Sequence, residues 1–191
     1  MARLWVCTMD ALELMMSRCS PLQLAEPGPD HEQLTSILGA AARAPDHGRL
    51  QPWRFLTIAG DARQRLGELM MQSLARREPG LEATRLEAER DKALRAPLII
   101  AVAAAVRAHP KVPDMEQIIA VGAAVQNMIL AAHALGFGAF WRTGAAAYDS
   151  LVKEGLGFST DDTLVGFIYL GSISKPGRIA PTDLASVVRQ W

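Results

Sequence analysis

The segment Asp114–Leu135 constrains the fold of this 191-residue chain more than any other. It opens with Asp114 and Glu116, two acids that suit the positive end of a helix, and residues 118–135 are apolar on nearly every side. A helix of this kind is either fully buried or spans a membrane. Gln126 and Asn127 lie at mid-length, where amides are costly in lipid, and no topogenic charge bias flanks the segment. We therefore expect a central helix, buried within the chain or against a second subunit.

The composition is that of a soluble globular protein. Half of the residues are hydrophobic and 21% are charged, and the 20 basic and 20 acidic side chains give a formal net charge of +0. This balance argues against a nucleic-acid surface or an acidic tail. Cys7 and Cys19 show no zinc spacing and fit a reducing, cytoplasmic compartment. We expect residues 1–8 to be an upstream extension, too short in its apolar run for a signal peptide, and residues 9–191 to form a single domain.

Apolar periodicity predicts helices interleaved with strands. The predicted helices, besides the long one, are Met9–Arg18, Pro29–Arg43 with Asp30 as N-cap, Asp61–Arg77, Leu81–Arg95 and Asp149–Gly155. The predicted strands are Trp53–Ile58, Leu98–Val106, Phe137–Thr143 and Thr163–Leu170. Leu98–Val106 is a continuous apolar run, which favours a buried central strand. We expect an extended connection at Pro21–Pro29, a solvated charged side on the helix Leu81–Arg95, and a loop-like tail after Gly171.

The loop between the second helix and the first predicted strand carries unusual chemistry. Residues 43–55 combine arginines, a histidine, an acid, two prolines and an indole. Pro45 disfavours helical geometry at the residue before it, and Gly48 is free to take a conformation closed to other residues. A loop this rich in donors and rigid residues looks built to hold a flat, partly anionic ligand. A solvated helix-to-strand turn is the alternative.

Two further polar clusters are candidates for a binding site. Arg18-Cys19-Ser20 offers a charged fork and a neutral donor, a good pair for phosphate, although Arg18 could equally serve as a charge at a helix C-terminus. Trp141-Arg142-Thr143 places an indole beside a cation and a hydroxyl. Gly136-Phe137-Gly138 follows a helix and does not lie between a strand and a helix, so it is not a dinucleotide fingerprint. The sequence also contains no Walker loop, nucleophile elbow or zinc-type cluster.

Taken in order, several blocks resemble the FMN-dependent nitroreductase family, and most closely its small YdjA-type branch. The most specific are Arg-Ala-Pro-Asp-His at residues 43–47 and Gln-Pro-Trp-Arg-Phe at residues 51–55. The others are Met9–Leu14, Arg18 with Ser20, Ala96–Ile100, His109–Pro113, Gly136–Gly138, Trp141–Gly144 and Val165–Gly171. The likeness spans about Met9–Gly171. Two positions depart from the usual pattern, since Cys19 replaces a second arginine and Thr143 replaces a serine.

The resemblance implies an α+β fold, with a mixed β-sheet sandwiched by helices in three α/β/α layers, and a homodimer with the long helix buried at its centre. FMN would lie at the dimer interface, and each site would take residues from both chains. The residues that the resemblance assigns to FMN are Arg18, Cys19, Ser20, Arg43, His47, Trp141, Arg142 and Thr143. The residues that it places near the NAD(P) nucleotide are Ala131, Ala132, His133, Ala134, Leu135 and Gly136.

The implied activity is that of a flavoprotein oxidoreductase. NAD(P)H would reduce bound FMN, and a nitro compound, quinone or similar acceptor would then be reduced by ping-pong hydride transfer. No protein nucleophile is required, because flavin N5 carries the chemistry, and Arg18 or Arg43 would supply a cation near the flavin N1. A flavin-binding, flavin-storage or redox-sensing module without turnover is the alternative. A metal hydrolase built on Asp46 and His47 lacks further ligands, and neither a nucleic acid nor a membrane is an expected partner.

Overall fold

The computed structural model describes residues 10–191, so Met9 and the predicted extension at residues 1–8 lie outside the described part of the chain. The helices are α1 Ala11–Ser17, α2 His31–Ala41, α3 Asp61–Arg77, α4 Ala83–Arg90, α5 Asp114–Ala134 and α6 Ser150–Gly155. The strands are β1 Gln23–Ala25, β2 Trp53–Ala59, β3 Leu98–Ala104, β4 Gly138–Arg142 and β5 Thr163–Lys175. Single 3₁₀ turns cover residues 47–49, 91–94, 145–148 and 184–186.

The strands form one sheet in which β5 is paired along both edges. One edge of β5 pairs with β3, which in turn pairs with β2, and the other edge pairs with β4; the last residues of β5, beyond Gly171, pair with β1. Every one of these pairings is antiparallel, so the expected mixed sheet is wrong on this point. Between β2 and β3 the reason is visible in the connection. Helices α3 and α4 pack as a hairpin that returns the chain to the end of the sheet it had left, so β3 runs back along β2.

The helices cover both faces of the sheet, which confirms the three-layer sandwich. All seven residues of β3 are buried, as expected for a central strand. Alternate side chains of β3 enter two separate cores. Ile100 and Val102 pack with α2 and α5, whereas Ile99 and Ala101 pack with α3 and α6. Full burial of an aliphatic side chain of this size contributes about 1.5–3 kcal/mol, so these two cores dominate the stability of the fold.

Helix α5 is buried along one side only. Val121, Val125 and Met128 are fully buried against the sheet and α2. On the other side, Met115 is 64% exposed and Ile119 is 62% exposed. The helix is long and apolar enough to cross a membrane by length and composition, but its inner side belongs to the core of this fold. Because α5 is apolar on both sides, one of its apolar faces is left uncovered by the other residues of the described range 10–191.

Three predicted elements change in the structure. Helix Leu81–Arg95 shortens to α4 followed by a 3₁₀ turn. The predicted extended connection contains β1, and β5 continues to Lys175 instead of ending at Leu170. Gly171 does not end β5, because its missing side chain lets Pro97 and the Ala25 backbone approach the strand closely.

A buried carboxylate ties α3 to the start of α6. Asp149 caps α6 by accepting a hydrogen bond from the Leu151 amide (2.9 Å), and it accepts a second from the Ser73 hydroxyl (2.6 Å). Arg76 lies 2.5 Å and Arg77 lies 3.6 Å from its two oxygens. Burial alone would raise the pKa of Asp149, but the hydrogen bonds and the two positive charges outweigh it and lower the pKa below its ordinary value of 3.8.

Because the folded-state pKa of Asp149 is depressed, this carboxylate stabilises the fold above pH 3.8, and its contribution is lost as the pH falls through the lower folded-state value. We expect Asp149→Asn to lower the free energy of unfolding by about 1–2 kcal/mol at neutral pH. In urea titrations, the difference from the unmodified protein should shrink below about pH 4. Asp161→Asn, at an exposed turn, is the control and should change little. If Asp149→Asn lowered the free energy of unfolding by the same amount at every pH, that result would contradict the ionic role of Asp149.

Candidate functional site

Two adjoining cavities open beside the outer strand β4. The first, of about 380 Å³, is lined by residues 21–24 together with Leu94 and Arg95. The second, of about 420 Å³, lies under the α3–α4 hairpin and is also lined by residues 143–146, which follow β4. The two share Phe140, Arg142 and Tyr169 as lining residues. Because they share these residues, the two cavities adjoin; together they are called the groove below, which extends from the segment after Ser20 to the α3–α4 hairpin.

The Trp141-Arg142-Thr143 cluster forms one wall of the groove. All three residues line the second cavity. The Arg142 guanidinium lies over the Phe140 ring, 4.1 Å from its centroid, a cation–π contact that holds the charge at the groove. The indole N–H of Trp141 donates to the Val165 carbonyl at 3.2 Å. Gly166 makes room for this indole, since a Cβ there would lie 2.6 Å from the indole nitrogen.

Aromatic rings and a neutral hydroxyl form the floor between the two cavities. Phe140 and Tyr169 line both cavities, and Phe167 lines the second. Burial raises the pKa of Tyr169 to about 12, against the smaller opposing effect of the charges on Arg142 and Arg95. Its hydroxyl therefore stays protonated and can donate a hydrogen bond at any physiological pH. A flat ligand with polar edges suits such a floor.

The sequence analysis missed the charged residues that α4 and the turn after it bring to the groove. Glu89 is only 8% exposed and lies 2.5 Å from the Lys92 ammonium, and both line the second cavity. The expectation of a solvated charged side is therefore wrong for Glu89. The sequence could not distinguish Glu89 from Glu87, because both are glutamates of α4 and only Glu87 is exposed in the structure.

The Arg18-Cys19-Ser20 cluster leads into the first cavity from the end of α1. Helix α1 ends at Ser17, and Arg18 is extended. The Ser17 hydroxyl lies 3.1 Å from Nε2 of His133 at the far end of α5. Cys19 is half-buried and Ser20 is exposed. The cluster is thus held between α5 and the residues that line the groove.

The end of β5 runs alongside this cluster, which the sequence analysis did not foresee. The Leu22 amide donates to the Lys175 carbonyl at 3.0 Å. Gly177 passes so close to the Ser20 backbone that a side chain would not fit there. The backbones of Lys175 and Arg178 therefore lie near Ser20 and add two basic residues to its surroundings. The Lys-Pro-Gly-Arg sequence at residues 175–178 was the available signal, but it was assigned to a loop-like tail.

His47 lies elsewhere, at the opposite end of α5, and Arg43 precedes it in the same loop. Nδ1 of His47 is 2.8 Å from Glu116, in the first turn of that helix. An α-helix rises about 1.5 Å per residue, so Glu116 and His133 are about 25 Å apart along the axis. The structure brings His47 to one end and the Arg18 cluster to the other. One chain therefore cannot place all of the predicted FMN residues around a single ligand.

The loop that holds His47 has a shape set by its backbone. Gly48 adopts φ +72°, as its freedom predicted. One oxygen of Asp46 accepts the Gln51 amide at 2.6 Å, while the other is buried and has no hydrogen-bond partner in residues 10–191. Arg43 is exposed just beyond α2. This end of the molecule thus presents an exposed cation and a buried, unsatisfied acceptor.

The residues expected near NAD(P) form the last turn of α5 and its cap. Ala132 is fully buried in the core, so it has no surface free for a ligand in this chain. Ala131, Ala134 and Leu135 are half-buried, and Gly136 ends the helix with φ +84°. His133 contacts Ser17. The accessible part of this segment adjoins the Arg18 cluster.

The family model for the nitroreductase family matches residues 24–172. The chain belongs to this family. An Escherichia coli K12 protein named "Putative NAD(P)H nitroreductase YdjA" is 44% identical over 164 residues, which are 86% of this chain and 88% of the relative. A protein of Haemophilus influenzae named "Putative NAD(P)H nitroreductase" is 34% identical over 165 residues, 86% of this chain and 89% of its own length. These matches confirm the resemblance and the oxidoreductase class.

Solved structures confirm the nitroreductase-like fold. The nitroreductase-like family protein of Bacillus cereus superposes with a TM-score of 0.82 at 23% identity, covering 100% of this chain and 98% of that one. A Desulfovibrio desulfuricans protein, solved as a "putative nitroreductase in complex with FMN", superposes with a TM-score of 0.74 at 25% identity and covers 94% of this chain and 95% of its own. The fold thus agrees with the sequence relationship over nearly the whole chain.

Proposed function

We propose that this chain is an FMN-dependent NAD(P)H oxidoreductase that works as a homodimer in the cytoplasm and reduces a nitro compound, quinone or similar small acceptor. The observation that carries the proposal is the groove, which joins a basic cluster at one end to an aromatic, hydrogen-bonding cavity at the other. The Escherichia coli relative, at 44% identity, carries the name of an NAD(P)H nitroreductase, and the Desulfovibrio desulfuricans structure was solved with FMN.

The residues at the Ser20 end of the groove fit the phosphate of FMN. A phosphate monoester carries a charge of about −1.5 to −2 near neutral pH and offers three acceptor oxygens. Arg18 supplies a bidentate guanidinium and Ser20 a hydroxyl. Lys175 and Arg178 pass beside them on the backbone of the β5 end. These basic residues offset the arginine that is missing at Cys19, so the substitution does not deprive the site of positive charge.

The other end of the groove fits the flavin ring. Phe140 and Tyr169 offer flat surfaces, and Thr143 and Gly144 line the second cavity with polar groups. When bound, FMN supplies its N5 atom as the acceptor and donor of hydride. Lys92 is held at the cavity by Glu89, and Arg142 by the Phe140 ring. A cation fixed in this way would stabilise negative charge on the ring, and both residues lie nearer to the cavity than the expected Arg43.

Two chains are needed to complete this site. The uncovered side of α5 and the loop of His47 enclose a further cavity of about 260 Å³, lined by Pro45, His47, Glu116, Ile119, Ala120 and Ala123. In a two-fold dimer with α5 packed against its symmetry copy, the Glu116 end of one helix would face the His133 end of the other. Arg43 and His47 of each chain would then reach the groove of its partner, closing the gap of about 25 Å.

Reduction of the bound cofactor by nicotinamide tests the proposal. The purified protein, supplied with FMN and freed of excess, should be yellow and should elute as a dimer. Anaerobic mixing with NADH or NADPH should bleach the flavin absorbance, and a quinone should restore it. Each NAD(P)H delivers a hydride, which is two electrons, and a quinone that takes up this hydride and a proton becomes a hydroquinone. A yellow protein that neither nucleotide bleaches would instead be a storage or sensing module.

A further inference from the structure

The α3–α4 wall of the second cavity carries more positive than negative charge. Four basic side chains line the cavity, namely Arg77, Arg85, Lys92 and Arg142, against two acidic ones, Glu78 and Glu89. Neither the sequence blocks of the family resemblance nor the proposed FMN contacts include Arg77 or Arg85. The imbalance therefore raises the question of what anion the cavity accepts besides the cofactor.

Most of these charges are already engaged. Lys92 is paired with Glu89, and Arg77 lies 3.6 Å from the buried Asp149. Arg142 is stacked on Phe140. Arg85 is different, since it makes no ion pair or hydrogen bond through its side chain within residues 10–191. The side chain of Glu78 likewise makes no ion pair within residues 10–191, so this carboxylate of the cavity does not neutralise Arg85.

Arg85 is also placed to reach a ligand from solvent. It lies in the first turn of α4, exposed, at the rim of a cavity whose floor is aromatic. A free guanidinium offers a fixed fork of donors that matches a carboxylate in two parallel hydrogen bonds. In the proposed function the flavin ring lies on the aromatic floor of this same cavity. A flat aromatic molecule with one carboxylate would stack on the flavin and place its carboxylate at Arg85.

We propose that Arg85 selects electron acceptors that carry a carboxylate on an aromatic ring, such as nitrobenzoates, over their neutral counterparts. This inference rests on the proposed function, because the acceptor must reach a flavin in the groove. The carboxylate pairs with Arg85 at the rim, and the ring extends inward to the cofactor.

The test compares 4-nitrobenzoate with 4-nitrobenzamide, which differ in charge and hardly in shape. In the FMN-loaded, oxidised enzyme without NAD(P)H, the perturbation of the flavin spectrum gives the Kd of each. We expect the Kd of the benzoate to be about three- to tenfold lower than that of the benzamide. The expected ratio is small because water screens the ion pair of an exposed arginine. Arg85→Gln should abolish the difference, Arg85→Lys should restore part of it, and Arg85→Glu should reverse it. Arg65→Gln, an exposed arginine of α3 outside the cavity lining, is the control.

Several outcomes would overturn the inference. If the unmodified enzyme binds both probes with equal affinity, the proposed selectivity does not exist. If Arg85→Gln weakens the binding of both probes equally, the substitution acts through the structure of the cavity and not through the charge of the ligand. An Arg85 effect confined to the KM of NADPH, with that of NADH unchanged, would assign the guanidinium to the nucleotide phosphate. Failure of the proposed function looks different, because the protein would then lack FMN or fail to bleach with NAD(P)H before any acceptor is added.

Discussion

Arg18→Ala should purify largely without FMN and should be nearly colourless. Arg18 follows α1 and belongs to the Arg18-Cys19-Ser20 cluster, which leads directly into the groove. A charge-assisted contact with a phosphate contributes about 1.5–3 kcal/mol, so its loss should raise the Kd of FMN about ten- to a hundredfold. Titration of the apoprotein with FMN, followed by quenching of flavin fluorescence, measures the change.

Two variants sharpen this test. Arg18→Lys keeps the charge but loses the bidentate fork, so it should retain part of the affinity. Arg65→Ala removes an exposed arginine of α3 and should bind FMN normally. Full flavin occupancy in Arg18→Ala would show that Arg18 is only a charge at the end of α1. Loss of riboflavin binding to the same degree as FMN binding would also contradict a role at the phosphate.

Ile119→Arg should convert the proposed dimer into a monomer and remove FMN at the same time. In the single chain Ile119 is 62% exposed, so an arginine there should leave the fold of each chain intact. In the proposed dimer the same side chain lies in the apolar face of α5, where an unpaired buried charge is strongly unfavourable. Loss of the dimer would also withdraw the partner's Arg43 and His47 from the groove. Analytical ultracentrifugation and the flavin absorbance per chain report the two effects.

Ala75→Arg is the matched control, because Ala75 is exposed on α3, on the opposite face of the sheet. It should remain dimeric and yellow. A monomer of Ile119→Arg that still binds FMN with full affinity would show that one chain suffices for the site. A dimer that persists in Ile119→Arg would place the interface on another surface, and either result would refute the proposed arrangement.

The features predicted correctly from the sequence depend on neighbouring residues. Asp30 forms the expected capping box with Gln33 at the start of α2, because the two partners are three positions apart. The position of β3 at the centre of the sheet follows from its continuous apolar run. The length of α5 follows from acids at its start and a glycine just beyond its end. These signals lie within one or two helical turns.

The features that the sequence did not reveal depend on distant pairs. Strand β1 exists because Gln23 pairs with Lys175, and no local pattern marks either residue as a strand. Glu89 is buried because α3 covers it, whereas its neighbours on α4 look the same in sequence. The resemblance named His47 and Arg18 as parts of one site, but their positions at opposite ends of α5 follow from contacts between distant residues. No local pattern in the sequence reveals that separation.

The pairing of Leu22 with Lys175 also sets an order of events during synthesis. These two residues are far apart in the sequence and meet at one hydrogen bond, and domains form as the chain emerges from the ribosome, beginning with the N-terminal part. Arg18 and Ser20 emerge well before the end of the strand that runs beside them. In the proposed site, the phosphate end of the groove is therefore completed only after Lys175 has emerged, so FMN would be captured after the four earlier strands have been synthesised.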